Sequence, residues 1–308
     1  MIAMNIDSFL DPLLTDRSVT DICIQSGSDV FVDRGNGMEK HVGSLFTEEH
    51  WKTWVLERLS EQGKSWTAAM PFCDGVIRPH HRLHVAFPAL SSGGMTVSIR
   101  ALPVALGRRE SVWAGDPYFG RLVELVIRGC SVIISGPTGS GKTTLLRDLL
   151  EYVPHTERII ALEDTPEIRP HHEHFLSLRS RAPNSDGFGE VTLRDLLKQT
   201  LRMRPDRLVL GECRGPEVLD LLQLLNTGHR GAMATLHAHT PRDALRRIEL
   251  LCLLATNGRL ESRVIREMLA YGIQVLVQVE RTPLGRKITE VVQVAGKEGE
   301  TILLRPLT

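Results

Sequence analysis

The sequence predicts an α/β chain in two parts, a doubly wound domain with a parallel central sheet preceded by a small α+β domain. Three observations point there. From residue 117 onward, strand-like and helix-like stretches alternate, the rhythm of parallel strands joined by crossover helices. Upstream, strand patterns surround one clear helix, the order of a small α+β unit. Between an apolar run and a helical pattern, residues 136–144 form a glycine-rich stretch, which fits a strand-to-helix turn. The expected boundaries are 1–102 for the first domain, 103–116 for a linker that carries Pro and Gly without periodicity, and 117–308 for the second.

In the first domain, residues 5–15 read as a short helix or arm. Thr20–Gln25 and Asp29–Arg34 alternate like strands, and Gly35-Asn36-Gly37 is turn chemistry for a hairpin running on through Met38–Val42. Thr47 ahead of Glu48 and Glu49 marks a helix start. Trp51, Trp54, Val55 and Leu59 then share one helical face. Further strands are expected around Gly75–Arg78, Arg82–Phe87 and Thr96–Leu102.

The second domain reads as strand 131–135, helix 142–151, strand 157–162, helix 192–202, strand 207–211, helix 215–226 and strand 232–236. Helices over Arg242–Leu254 and Ser262–Tyr271 follow. Gln274–Glu280, Lys287–Val294 and Thr301–Leu304 are expected as closing strands.

Composition narrows the class. The chain has 308 residues, 42% of them hydrophobic, enough for two ordinary cores. No apolar run approaches the roughly 18 residues that cross a bilayer, and the N-terminus lacks the positive region of a signal peptide. Lys and Arg number 37, as do Asp and Glu, so global charge gives no attraction to nucleic acid or to an anionic membrane. Aromatics, at 5%, leave little material for stacking single strands. Cys23, Cys73, Cys130, Cys213 and Cys252 lie far apart, the pattern of reduced thiols rather than a zinc ribbon. A cytoplasmic enzyme with no direct nucleic-acid contact is expected.

The chemistry centres on Gly136-Pro137-Thr138-Gly139-Ser140-Gly141-Lys142-Thr143-Thr144, a G-x-x-x-x-G-K-T phosphate loop (Walker A). Its glycines let successive N–H groups line one concavity, and the helix opening at Lys142 adds its positive end. Lys142 is placed for the β- and γ-phosphates and the Thr143 hydroxyl for Mg²⁺. The chain is expected to bind a nucleoside triphosphate.

Two apolar strands end in acids. Arg207-Leu208-Val209-Leu210-Gly211-Glu212 occupies the Walker B position, with Glu212 placed for Mg²⁺. Ile159–Glu163 runs into Asp164-Thr165-Pro166-Glu167. Open α/β sheets bind ligands at strand C-termini, so Glu163 is the candidate that polarises the attacking water, with Asp164 or Glu167 supporting. His229 and His237 flank a short strand and either can sense the γ-phosphate, although a His after Gly also serves as a turn residue. Arg179, Arg181, Arg194, Arg202, Arg204, Arg207 and Arg214 supply guanidinium forks suited to phosphate oxygens, and position alone does not choose among them. His80, His81, His84 and His171, His172, His174 read as loop segments with no cysteine at ligand spacing, so no metal centre is expected there.

Taken in order, these motifs resemble those of the bacterial secretion ATPases that power type II and type IV secretion and type IV pili. Thr227–Ala238 is similar to their histidine box, and Glu163-Asp164-Thr165 to their aspartate box. Leu201–Arg207, running on to Gly211-Glu212-Cys213-Arg214-Gly215, looks like their Walker B region. Pro241-Arg242-Asp243-Ala244-Leu245 is most similar to the tight-adherence (Tad/CpaF-type) pilus ATPases, with conjugation and type IV secretion ATPases next. The resemblance covers residues 75–280. It implies a RecA-like P-loop ATPase domain behind a PAS-like N-terminal domain, with ATP and Mg²⁺ as ligands.

It also implies a homo-hexamer at the inner face of the cytoplasmic membrane, held there through an inner-membrane platform protein. By the same resemblance Glu163 activates water, Glu212 supports Mg²⁺, and His229 and His237 assist. Arg82 and Arg100 of the N-terminal domain, with Arg181 and Arg194, would clamp the phosphates. The cysteine pattern excludes the branch that carries a tetracysteine zinc domain. His237-Ala238-His239 stands where relatives often read His-Ala-Asn. The expected activity is Mg·ATP hydrolysis coupled to pilus assembly or retraction, or to protein secretion. A nucleic-acid motor and a non-enzymatic nucleotide-binding scaffold are the alternatives, the scaffold opposed by Glu163 and Glu212.

Overall fold

Helix α1 (Ile6–Thr15) starts where the Asn5 side chain accepts the Ser8 N–H, and it buries Ile6, Leu10, Leu13 and Leu14. Strands β1 (Asp21–Gln25) and β2 (Asp29–Asp33) bury every second residue, Ile22, Ile24, Val30 and Val32. That period is what a sheet covered on one face requires. Then come β3 (Met38–His41), α2 (Glu48–Ser60), β4 (Phe72–Arg78), β5 (His81–Ala86) and β6 (Thr96–Ala101). Thr47 caps α2 through the His50 N–H while the His50 ring reaches back to the Thr47 N–H, a capping box closed by imidazole instead of the usual Glu. The six strands form an antiparallel sheet in the order β3-β2-β1-β6-β5-β4. Both helices share one apolar core with it.

The second part contains α3 (Phe119–Ile127), β7 (Val132–Ser135), α4 (Lys142–Leu150), β8 (Ile159–Glu163), β9 (Phe175–Arg179), α5 (Leu193–Thr200) and β10 (Arg207–Leu210). It continues with α6 (Glu217–Asn226), β11 (Met233–Leu236), α7 (Pro241–Ala255), α8 (Ser262–Gly272), β12 (Val275–Thr282), β13 (Gly285–Glu298) and β14 (Thr301–Pro306). The sheet order is β14-β13-β12-β7-β11-β10-β8-β9. From β12 to β9 neighbours run parallel, and β12, β13 and β14 form an antiparallel meander. Strands β7, β8, β10 and β11 are buried at every position, because helices cover both faces. Helices α3 and α4 pack on one face and α5 to α8 on the other. This is the doubly wound α/β architecture.

The computed structural model describes residues 5–25, 29–35, 37–41, 46–66, 71–78, 80–88, 94–102, 111–184, 187–282 and 285–307. The chain divides into one unit of Met1–Val104 with Pro183–Glu190 and a second of Ala105–Ala182 with Val191–Thr308. Asn36, Val42 and residues 103–110 of the expected linker lie outside the described residues, while 111–116 form turns around the buried Trp113. Two elements were not read from the sequence. Helix α3 lay in the stretch left unassigned, and β9 is an edge strand whose residues are half-buried without alternation. His81, read as a loop residue, opens β5, and His84 lies on it within the strand expected over Arg82–Phe87. No helix among the described residues is long and apolar enough to cross a membrane.

Candidate functional site

The loop between β7 and α4 lies at the C-terminal edge of the parallel strands, where open α/β sheets take their ligands. Two glycines there are sterically required. A Cβ on Gly136 would lie 2.3 Å from the Val279 carbonyl oxygen. Gly141 sits at φ +97°, where a Cβ would meet Arg286 Cδ at 2.7 Å and Trp113 Cζ2 at 3.1 Å. Lys142 opens α4 and is 7% exposed. Its ammonium donates to the carbonyls of Gly136 (3.0 Å) and Pro137 (2.9 Å), folding the side chain back along the loop. Burial lowers its pKa, and the nearby Glu212 carboxylate counters that. The buried Ser140 Oγ has no hydrogen-bond partner. Thr143, half-buried in the first turn of α4, makes no side-chain hydrogen bond among the described residues.

Glu212 follows β10 and faces the same edge. Its Oε2 accepts from the Arg214 guanidinium. Its Oε1 lies 2.8 Å from His237 Nε2, but out of line, so that this buried oxygen has no hydrogen-bond partner. Two bonds fix this geometry: Thr235 Oγ1 donates to the Gly211 carbonyl at 2.5 Å, and Cys213 N–H to the Thr235 carbonyl at 2.8 Å. The end of β11, which carries His237, is thereby tied to the loop that carries Glu212. Burial, then the charge of Lys142, lowers the His237 pKa against the pull of Glu212, which favours the neutral imidazole. An unengaged Thr143 hydroxyl and an unpaired carboxylate oxygen on Glu212 are oxygen donors of the kind Mg²⁺ takes. The residues present fit that ion.

Glu163, expected beside the attacking water, ends β8. It is 2% exposed. Its Oε1 accepts the N–H groups of Glu167 and Ile168, both at 2.8 Å, and its Oε2 accepts Ser177 Oγ at 2.8 Å. Burial raises its pKa, and these three donors oppose the rise. The carboxylate fastens the turn after β8 to β9. The charge of Glu167, held by that turn, reaches Lys142, where it partly offsets the lowering by burial, and Arg214, where it adds to the rise.

The remaining sequence candidates have partners of their own or lie exposed. Asp21, Arg100 and Arg82 form one cross-strand row over β1, β6 and β5, with Arg100 bonded to Asp21 at 2.8 Å and Arg82 to Asp74 at 3.1 Å. Arg181 is exposed and its backbone pairs with Val191. Arg194 donates to Asp220 at 2.5 Å. His229 precedes β11 while His237 follows it, so His229 lies at the edge of the sheet opposite the phosphate loop. Sequence reasoning did not find Ser177, Trp113 or Arg286, which reach the site only through contacts distant in the chain.

The Type II/IV secretion system protein family matches residues 87–282. The chain belongs to this family. Within it, the chain is 37% identical to a putative conjugal transfer protein of Mycobacterium tuberculosis, over 94% of this chain and 85% of that protein. It is 28% identical to the type IV secretion system protein PtlH of Bordetella pertussis, over 88% of each. The solved ATPase DotB of Legionella pneumophila shares 19% identity and superposes with a TM-score of 0.67, over 94% of this chain and 80% of that one, which shows the fold. The phosphate loop lies inside the matched segment.

Proposed function

We propose that this secretion-family protein is an ATP-hydrolysing motor subunit, active as a homo-hexamer on an inner-membrane platform protein of a type IV secretion or Tad-like pilus machine. The observation that carries this reading is the unpaired Glu212 oxygen at the strand edge that also holds the buried Lys142. Names of relatives in conjugal transfer and type IV secretion support the machine assigned.

Lys142 and the loop N–H groups hold the phosphates of ATP. Thr143 and Glu212 would hold Mg²⁺, which when bound would neutralise charge on the phosphates. The one free Glu212 oxygen, which has two lone pairs, would serve both that ion and the attacking water, and His237 limits its swing. Glu163 acts through the turn it fastens, which presents Glu167 toward Lys142. Arg214, paired with Glu212, returns to it as the phosphate charge leaves, which links product release to movement of the loop at 211–215.

The test is Glu212→Gln. Phosphate release from Mg·ATP falls by about a hundredfold or more, while Mg·ATP affinity stays within about threefold of wild type. Undiminished turnover in the variant overturns the assignment.

A further inference from the structure

The catalytic groups lie on one flank of the phosphate loop. Glu212 follows β10 and His237 follows β11, both on one side of β7. A triphosphate whose terminal phosphate meets Glu212 must therefore direct its nucleoside to the other flank, over β12 and β13. That flank carries Arg281 and Arg286, at the end of β12 and the start of β13.

Arg286 is the notable one. Its Cδ lies 2.7 Å and its Nε 3.2 Å from where a Cβ on Gly141 would be, and Trp113 Cζ2 closes the same space at 3.1 Å. The stem thus crosses the loop glycine and delivers the guanidinium to the rim of the phosphate site. Trp113, 1% exposed, brings the edge of its ring to the same glycine. Among the described residues no carboxylate pairs with Arg286. The charges that face it are Arg281 and Arg147, which together with burial lower its pKa. The acid beside Arg147 is already committed: Asp148 takes Arg147 at 2.7 Å and the Ser111 hydroxyl at 2.7 Å.

We propose that Arg286 holds the base of the bound nucleotide, its planar guanidinium lying against the ring at the rim of the phosphate loop. This rests on the reading that the loop binds a nucleoside triphosphate. A guanidinium stacks on an aromatic face, which an ammonium cannot do, and every nucleobase offers such a face. The site therefore selects nucleotides over bare polyphosphates, with modest discrimination among bases.

Calorimetric titration of Mg·ATP and of inorganic tripolyphosphate into wild type, Arg286→Ala and Arg286→Lys tests this. The proposal expects Arg286→Ala to weaken ATP by about tenfold and to leave tripolyphosphate unchanged, which also shows an intact loop. Arg286→Lys falls with the alanine variant. Unchanged ATP affinity in Arg286→Ala, equal loss for both ligands, or full rescue by lysine overturns it. Wild type that binds neither ligand overturns the nucleotide reading itself, and this inference with it.

Discussion

Glu212 Oε1 and His237 Nε2 lie 2.8 Å apart, joining the ends of two strands that are neighbours in the sheet but separate in sequence. Burial and Lys142 lower the His237 pKa, which favours the neutral ring beside Glu212. Protonation of that ring would make an ion pair and occupy the oxygen assigned to water. Phosphate release should therefore hold steady down to pH 6.5, the ordinary histidine value, and decline below it. His237→Gln should lose that decline. The same acid limb in the variant would show that another group titrates.

The contact between Glu163 and Ser177 gives a second prediction. Ser177→Ala leaves Glu163 Oε2 without its 2.8 Å donor in a site only 2% exposed. Leaving a buried polar group unpaired costs about 1–3 kcal/mol, read as a lower urea midpoint at unchanged slope. Ser177→Thr, which keeps the hydroxyl, should recover most of it.

Arg207 offers a test of packing away from the site. It is 3% exposed, pairs with Glu157 and donates to the Val126 carbonyl at 2.8 Å. A Cβ on Gly231, at φ +69°, would lie 2.2 Å from its Nη1. Gly231→Ala should destabilise by about 2–4 kcal/mol, combining backbone strain with a displaced buried charge. Gly228→Ala is the control, with φ +100° but nothing within 4 Å, and should cost only about 1–2 kcal/mol. Equal losses would remove Arg207 from the explanation.

Asp74 sets an acid limb on stability. Its hydrogen bond with His84, then the charge of Arg82, lowers its pKa from 3.8 to about 2. A carboxylate depressed in the folded state contributes stability above 3.8 that is lost as pH falls toward 2. All three side chains are more than two-fifths exposed, so screening keeps the contribution small. Asp74→Asn should lower the melting temperature slightly at pH 5 and flatten its fall between pH 4 and pH 2, read by thermal melts.

What the sequence disclosed follows from which physics is local. The phosphate loop is contiguous, so its spacing alone located Lys142 and Thr143. The strands ending at Glu163 and Glu212 were visible because fully buried parallel strands are short unbroken apolar runs. Yet the same pattern could not say which carboxylate stays open. Ser177 lies on an edge strand without alternation, and its bond to Glu163 exists only once β9 docks beside β8. His229 looked equivalent to His237 in the sequence, but a four-residue strand between them sends them to opposite edges of the sheet. Arg286 and Trp113 carried no motif. Their closeness to Gly141 depends on the β12–β13 hairpin and the turns at 111–116.

The most direct test of the account is phosphate release from Mg·ATP by purified protein across a wide range of protein concentrations, beside Lys142→Ala. Specific activity should rise steeply with concentration as subunits assemble and be lost in the lysine variant. Wild-type protein that binds Mg·ATP but releases no phosphate above the Lys142→Ala level at any concentration would contradict it.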